Sequence, residues 1–197
     1  MANYHQYKQI NPPTRSESES QHFVKDLHDE QRLLEFLEKQ SAGFTDVVII
    51  DPHWEIDSMK IVKNIIQRIN SESIFRDLVV LKCKGKNDNN DTTKIEIYRD
   101  NISELKNIRI FDTHSKNVFH NRYLIFGSIE KEEEKITKMI SEKVFVLSDS
   151  LCSITKPIKG KDLYDRRREL DVVYQSDLRN VCKTVEGLFE IYVCRKI

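Results

Sequence analysis

The chain has 197 residues, of which 39% are hydrophobic and 32% are charged, a composition that supports one substantial core beneath a heavily charged surface. Acidic and basic residues are equal in number, so the formal net charge is zero and any binding of nucleic acid must use a local patch. No apolar run is long enough to span a membrane and no signal-peptide pattern opens the chain, so no membrane association is expected. The four cysteines are scattered without Cys-x-x-Cys spacing, which is typical of reduced thiols in the cytoplasm.

The first half of the chain alternates between helix and strand patterns. Residues 1–20 are polar, with two prolines and a Ser-Glu repeat, and are predicted to form a flexible N-terminal arm. After the arm, hydrophobic periodicity and turn residues separate the segments. In chain order, the predicted elements are a helix over 21–40, a strand over 45–52 that ends at its proline, a helix over 57–69 and a strand over 77–83.

The second half contains several consecutive strand patterns. Residues 84–93 are a loop by composition, and residues 95–105 slightly favour a helix. The remaining predictions are strands over 107–113, 118–127, 143–148 and 169–175, a charged helix over 130–141, and a last helix capped by Ser176 and Asp177. This order predicts an α/β fold, with a mixed β-sheet sandwiched by helices in a single domain over 21–197.

The stretch over residues 118–127 combines an apolar strand pattern with a histidine and an arginine two positions apart. Side chains of a strand alternate between faces, so His120 and Arg122 are predicted to share one face, about 7 Å apart along the strand. A phosphate fits between an imidazole and a permanent cation at this spacing. A partly buried histidine bonded to a carbonyl is the alternative interpretation of the same pattern.

Further motifs follow this stretch, and together with it they resemble the phospholipase D superfamily. Its signature is His-x-Lys-x4-Asp, followed by a strand that ends in Gly-Ser-x-Asn and by a later glutamate. His120 and Arg122 match the signature histidine and lysine, and Glu169 matches the glutamate. The turn over residues 148–150 matches the strand end. A bacterial branch with a His-Asp-Arg core also has an Asp-Pro at the end of its first strand, which Asp51 and its following proline resemble.

The chain departs from the signature at three places. Arg122 replaces the lysine, and its guanidinium keeps the charge and can bind phosphate oxygens in a bidentate way. Gly127 takes the position of the signature aspartate, so no carboxylate is present there. The strand-end turn lacks the asparagine, which leaves the hydroxyls of Ser148 and Ser150 as candidate phosphate donors.

The resemblance implies a phosphodiesterase that needs no metal and no other cofactor. In this family two histidines act together: one forms a phosphohistidine, and the other protonates the leaving oxygen and then activates water. Because this chain carries one copy of the motif, a complete site requires a homodimer that brings two His120 residues together. Glu169 is the candidate for holding His120 in its productive tautomer, or else a surface partner for the preceding arginines.

A basic segment over residues 156–168 is the candidate nucleic-acid contact. It ends in Arg166, Arg167 and Arg168, and it can track a phosphate backbone, although a solvated loop balanced by aspartates is the alternative. Asp51 lies where open α/β sheets form ligand crevices and is a candidate substrate-binding residue.

Three functions therefore remain open. The first is a cytoplasmic, homodimeric nuclease, by analogy associated with bacterial antiviral defence. The second is a catalytically silent module of the same fold, which dimerises and binds nucleic acid or a protein partner within a larger complex. The third is a metal-dependent phosphohydrolase centred on Asp51.

Overall fold

The structure is a computed structural model that describes residues 20–24, 27–54, 56–69, 77–83, 88–102, 108–113, 118–154, 169–174 and 179–195. The described strands are β1 (Ser20–Val24), β2 (Asp46–Ile50), β3 (Asp77–Lys82), β4 (Ile108–Asp112), β5 (Arg122–Glu132), β6 (Lys135–Leu147) and β7 (Glu169–Tyr174). The described helices are α1 (Leu27–Ser41), α2 (Ile56–Ile69), α3 (Asp88–Asp100) and α4 (Arg179–Phe189), with a single 3-10 turn (Leu151–Ile154) and a π-helical segment (Glu190–Cys194).

The strands form one seven-stranded mixed sheet in the order β1-β7-β6-β5-β2-β3-β4. The three strands β2, β3 and β4 run parallel, and the remaining neighbours pair antiparallel. One face of the sheet packs in a core cluster with residues of α1, α2 and α3, and the other face packs with α4 and the π-helical segment. The mixed sheet with helices on both faces confirms the predicted fold class.

The N-terminal part of the sheet differs from the prediction of one helix over 21–40. A strand, β1, pairs antiparallel with β7 before α1 begins at Leu27. Pairing with a strand that is distant in the sequence overrides local helical spacing there. The predicted arm lies outside the described residues, except that Ser20 begins β1.

Helix α3 begins at Asp88, inside the stretch that composition assigned to a loop. The loop prediction is therefore wrong for residues 88–93, because Asp and Asn are tolerated in the first turn of a helix. Ile95 is buried and Tyr98 packs against the same core cluster, so burial of the later turns stabilises the helix.

A long hairpin of β5 and β6 replaces the helix predicted over 130–141. The register of the hairpin shifts twice, so that Thr137 and Glu142 are extra residues on β6. Because Thr137 is extra, Ile136 and Met139 both point into the same core although they are three positions apart. The bulge thus produced an apolar spacing of three, which imitates the period of a helix.

Buried aspartates hold this hairpin over the end of the sheet at which β2 and β3 begin. Asp46 accepts the Ile129 N–H at 2.7 Å, and Asp77 pairs with Lys131 Nζ at 2.6 Å. Both carboxylates are almost fully buried, so their partners offset a desolvation cost that would otherwise be large. These contacts attach the hairpin to the beginnings of β2 and β3.

Gly127 lies at the first bulge and is paired with Asp46 at that same end of the sheet. A Cβ built on Gly127 would collide with the carbonyl oxygen of Ile140 on β6. Five residues of strand separate Gly127 from Arg122, which is about 17 Å. The position of the signature aspartate is therefore filled by a residue that the bulge requires, far from Arg122.

We expect Gly127→Ala to lower the free energy of unfolding by about 2 kcal/mol or more, because the added methyl group meets backbone that cannot move freely. The matched control is Gly187→Ala in α4, where a Cβ meets nothing within 4 Å. That change should leave stability equal or raise it by about 0.5–1 kcal/mol, since alanine favours helix. Urea denaturation of both variants tests the prediction, and equal stabilities would contradict it.

Candidate functional site

Four segments that carry the predicted site residues meet at one edge of the sheet. Asp51 follows the end of β2, and the 148–150 turn follows the end of β6. Arg122 is the first residue of β5 and Glu169 the first of β7. Because β5 runs antiparallel to β2, Arg122 lies beside the end of β2. Leu147 at the end of β6 pairs with Val172, so Glu169 lies three residues beyond that pair. The edge therefore collects residues that lie far apart in the sequence.

Asp51 is the best-connected side chain of this edge and is only 1% exposed. Its carboxylate accepts the backbone N–H of His53 at 2.9 Å and the hydroxyl of Ser150. Its own N–H donates to the Leu81 carbonyl at 3.0 Å, which continues the pairing of β2 with β3. These contacts are with groups of the protein itself and hold Asp51 in place, and its binding of substrate stays a prediction.

Arg122 lies between two carboxylates. Its Nε atom is 3.5 Å from Asp51 Oδ1, and one of its terminal nitrogens, Nη2, is 3.7 Å from Asp149 Oδ1. Within the described part of the chain neither contact is a hydrogen bond, and Nε is buried without a partner of that kind. The guanidinium is thus held by charge, while its N–H groups keep their capacity to donate to an incoming oxygen.

The strand-end turn uses its two serines differently. Ser150 is buried and its hydroxyl is bonded to Asp51, which ties the turn to the end of β2. Ser148 is exposed, and its hydroxyl oxygen accepts the N–H of Asp171 at 2.8 Å. Ser148 therefore still has its own O–H to donate, whereas Ser150 mainly anchors the turn.

His120 lies in an irregular segment just before β5, so the prediction that a strand carries it is wrong. Strand pairing begins only at Arg122, and alternation no longer determines where the imidazole points. The preceding Phe119 is buried, and its carbonyl accepts the Cys83 thiol at 3.8 Å. His120 itself is exposed, and the described residues provide it with neither a hydrogen bond nor an ion pair.

Two groups of predicted site residues lie wholly or partly outside the described residues. Arg166, Arg167 and Arg168 lie outside the described residues, as does the side chain of Glu169. The main chain of Glu169 pairs with Val24 at the beginning of β7, two strands away from β5. An interaction between Glu169 and His120 therefore stays a prediction.

Asp149 is the residue of this edge that sequence reasoning missed. The motif assigns no role to the middle of the 148–150 turn, although the carboxylate of Asp149 is one of the two beside Arg122. It also accepts the backbone N–H of Ser150 at 2.7 Å. Asp149 lies two residues past Leu147, which pairs with Arg122, so its position beside the guanidinium depends on the pairing of β5 with β6.

The turn after β2 carries Asp51, the centre of the predicted metal-dependent alternative. Among the residues with described positions, which exclude Glu55, no group of three or more His, Cys, Asp or Glu side chains is arranged to hold a metal ion. Across the same residues, no helix combines the length and the apolar character that crossing a bilayer requires.

No protein-family model and no curated protein matches this chain. Solved structures do match it. Polyphosphate kinase from Porphyromonas gingivalis aligns with 95% of this chain at 12% identity and a TM-score of 0.52, and the chain spans 28% of the kinase. NucT from Helicobacter pylori aligns over 90% of this chain and 99% of its own length at 13% identity, with a TM-score of 0.46. Yeast tyrosyl-DNA phosphodiesterase aligns over 79% of this chain and 31% of its own at 10% identity, with a TM-score of 0.37.

Polyphosphate kinase is a structural neighbour with the phospholipase D-like fold. The mixed seven-stranded sheet and the match to polyphosphate kinase show that this chain has the phospholipase D-like fold. The resemblance inferred from the motifs is thereby confirmed at the level of the fold.

We expect Asp51→Asn to lower the free energy of unfolding by about 2–4 kcal/mol, because the amide cannot accept from both His53 and Ser150 while balancing Arg122. Asp149→Asn removes a carboxylate that is half exposed, with 50% of its side chain accessible, and should cost under about 1 kcal/mol. Urea denaturation of the two variants measures the difference. Equal losses would contradict the distinction between a buried anchor and a surface partner.

Proposed function

We propose that this chain is a metal-independent phosphodiesterase, a nuclease that works through a phosphohistidine at a homodimeric site. The observation that carries the proposal is an exposed His120 two residues from Arg122, whose guanidinium retains N–H donors at the sheet edge. An accessible nucleophile beside a fixed cation is the arrangement that in-line attack on phosphorus needs. The phospholipase D-like fold is consistent with this chemistry.

The proposed reaction has two steps. The imidazole of His120 attacks phosphorus, and the bond to the leaving oxygen breaks as His120 of the partner subunit gives that oxygen a proton. The partner's imidazole then takes a proton from water, and the hydroxide displaces His120 from phosphorus. Arg122 stabilises the charge that develops on the phosphoryl oxygens in both steps.

The proposed substrate is a nucleic acid. The basic run that ends in Arg166, Arg167 and Arg168 connects the 3-10 turn to β7, and both of these lie beside the edge that carries Arg122. Cations in that connection would bind the phosphate backbone by releasing counterions. Bacterial antiviral defence in the cytoplasm, with a protein partner in a larger complex, is the setting that the motif resemblance suggests.

A catalytically silent module that binds nucleic acid or a protein partner is the second candidate. One observation favours it: two carboxylates, Asp51 and Asp149, lie beside the single charge of Arg122. This balance weakens the attraction of the guanidinium for phosphate. Such a module would bind without turnover.

Labelled single- and double-stranded DNA and RNA, incubated with the protein in EDTA, distinguish these functions. We expect cleavage that EDTA does not inhibit, and a loss of at least about a thousandfold in kcat with His120→Ala, because the nucleophile is removed. His53→Ala is the matched control, since His53 is also exposed but only its backbone contacts the site.

Equal cleavage by His120→Ala, or cleavage that appears only after magnesium or manganese is added, would overturn the phosphohistidine mechanism. Binding of the labelled strands without cleavage would support the silent module. The metal-dependent outcome would support the phosphohydrolase centred on Asp51.

The shared site predicts a dominant effect of inactive subunits. Mixing wild type with an about ninefold excess of His120→Ala should reduce activity per wild-type subunit to about a tenth, because most wild-type subunits then pair with an inactive one. The experiment requires subunit exchange, which analytical ultracentrifugation with a labelled subunit verifies. Unchanged activity per wild-type subunit, or a monomer with full activity, would contradict the homodimeric site.

A further inference from the structure

The two carboxylates beside Arg122 differ in burial and in how firmly they are held. Asp51 is 1% exposed and its oxygens bind a backbone N–H and a hydroxyl of the protein. Asp149 has 50% of its side chain exposed and accepts one backbone N–H, that of Ser150, while its contact with Arg122, at 3.7 Å, is too long for a hydrogen bond. Asp51 therefore belongs to the permanent support of the guanidinium, whereas Asp149 lies on the side from which a ligand would approach.

A phosphate that binds Nη2 of Arg122 comes close to Asp149, because the Asp149 carboxylate lies 3.7 Å from that nitrogen. The net charge of Asp51, Asp149 and Arg122 together is negative, since two carboxylates flank one guanidinium. Among the described residues, Lys82 at the end of β3 pairs with Asp112 at the end of β4 at 2.6 Å, and this pair adds no net charge. Repulsion from Asp149 therefore acts on every approaching anion and grows with the anion's charge.

Phosphate ligands differ in charge according to their esterification. A phosphodiester carries one negative charge, whereas a phosphomonoester approaches two at neutral pH because its second pKa is about 6. A half-exposed carboxylate in the approach path consequently penalises a strand end that carries a terminal phosphate more than an internal phosphodiester. This difference in repulsion allows the site to select phosphodiesters over phosphomonoesters.

We propose that Asp149 is a specificity-determining residue, which makes the Arg122 site prefer singly charged phosphodiesters over doubly charged phosphomonoesters. The inference rests on the proposed function, because it takes phosphate to be the ligand of Arg122. It adds a role for a residue that the motif resemblance does not assign. It also gives Asp149 a role other than supporting the guanidinium, because Asp51 already provides that support.

Titrations of the full chain with methyl phosphate and dimethyl phosphate at pH 8, followed by protein NMR, test the proposal. We expect Asp149→Asn to tighten methyl phosphate binding by about three- to tenfold and dimethyl phosphate binding by less, because the removed repulsion scales with ligand charge. The matched control is Asp171→Asn, which removes a similarly exposed carboxylate that pairs with His22 rather than with Arg122.

The outcomes separate this proposal from the one on which it rests. If the wild type binds both probes and Asp149→Asn keeps the same ratio of methyl phosphate to dimethyl phosphate affinity, the role of Asp149 is overturned and the proposed phosphodiesterase is not. An equal change of that ratio in Asp171→Asn has the same consequence. Absence of binding by all three proteins overturns both proposals.

A second measurement does not depend on phosphate binding. Phenylglyoxal modifies arginine side chains, and peptide mapping by mass spectrometry locates the modification. Arg122 should react faster in Asp149→Asn than in wild type or Asp171→Asn, because a neighbouring carboxylate both covers the guanidinium and stabilises its charged form. An unchanged rate at Arg122 would show that Asp149 does not control access to it, and would overturn the proposal.

Discussion

A buried carboxylate at the end of β2 is the interaction on which the candidate site depends. Asp51 joins three segments that are distant in the sequence: its own turn through the His53 N–H, the beginning of β5 through Arg122, and the turn after β6 through Ser150. A carboxylate that has lost its water must be compensated by such partners, so their positions are not independent of one another. The arginine is consequently held at the edge of a rigid sheet.

The strand register places Gly127, at the position of the missing signature aspartate, far from Arg122. Gly127 lies at a bulge beside β6, near the beginning of β2, while Arg122 and Asp51 lie at the opposite edge. At that far end, Asp46 and Asp77 already supply the buried carboxylates that hold the hairpin. The glycine therefore belongs to the packing of the β5–β6 hairpin rather than to the chemistry of the edge.

This edge differs from a simple phosphate-binding site mainly in the balance between its positive and negative charges. Arg122 is a strong donor, but Asp51 and Asp149 offset its charge, and they do so from different depths. The buried carboxylate fixes geometry, and the exposed one affects which anions approach.

The sequence by itself determined the α/β class and most of the strands, because these depend on local periodicity. Tertiary structure alone decided the rest. The bulge at Thr137 turned an apparent helical spacing into a strand, and pairing with β7 made a strand of residues 20–24. Only the folded sheet brought Asp51, Arg122 and Asp149 together, since contacts among carboxylates and a guanidinium from three strands depend on register, which local sequence does not encode.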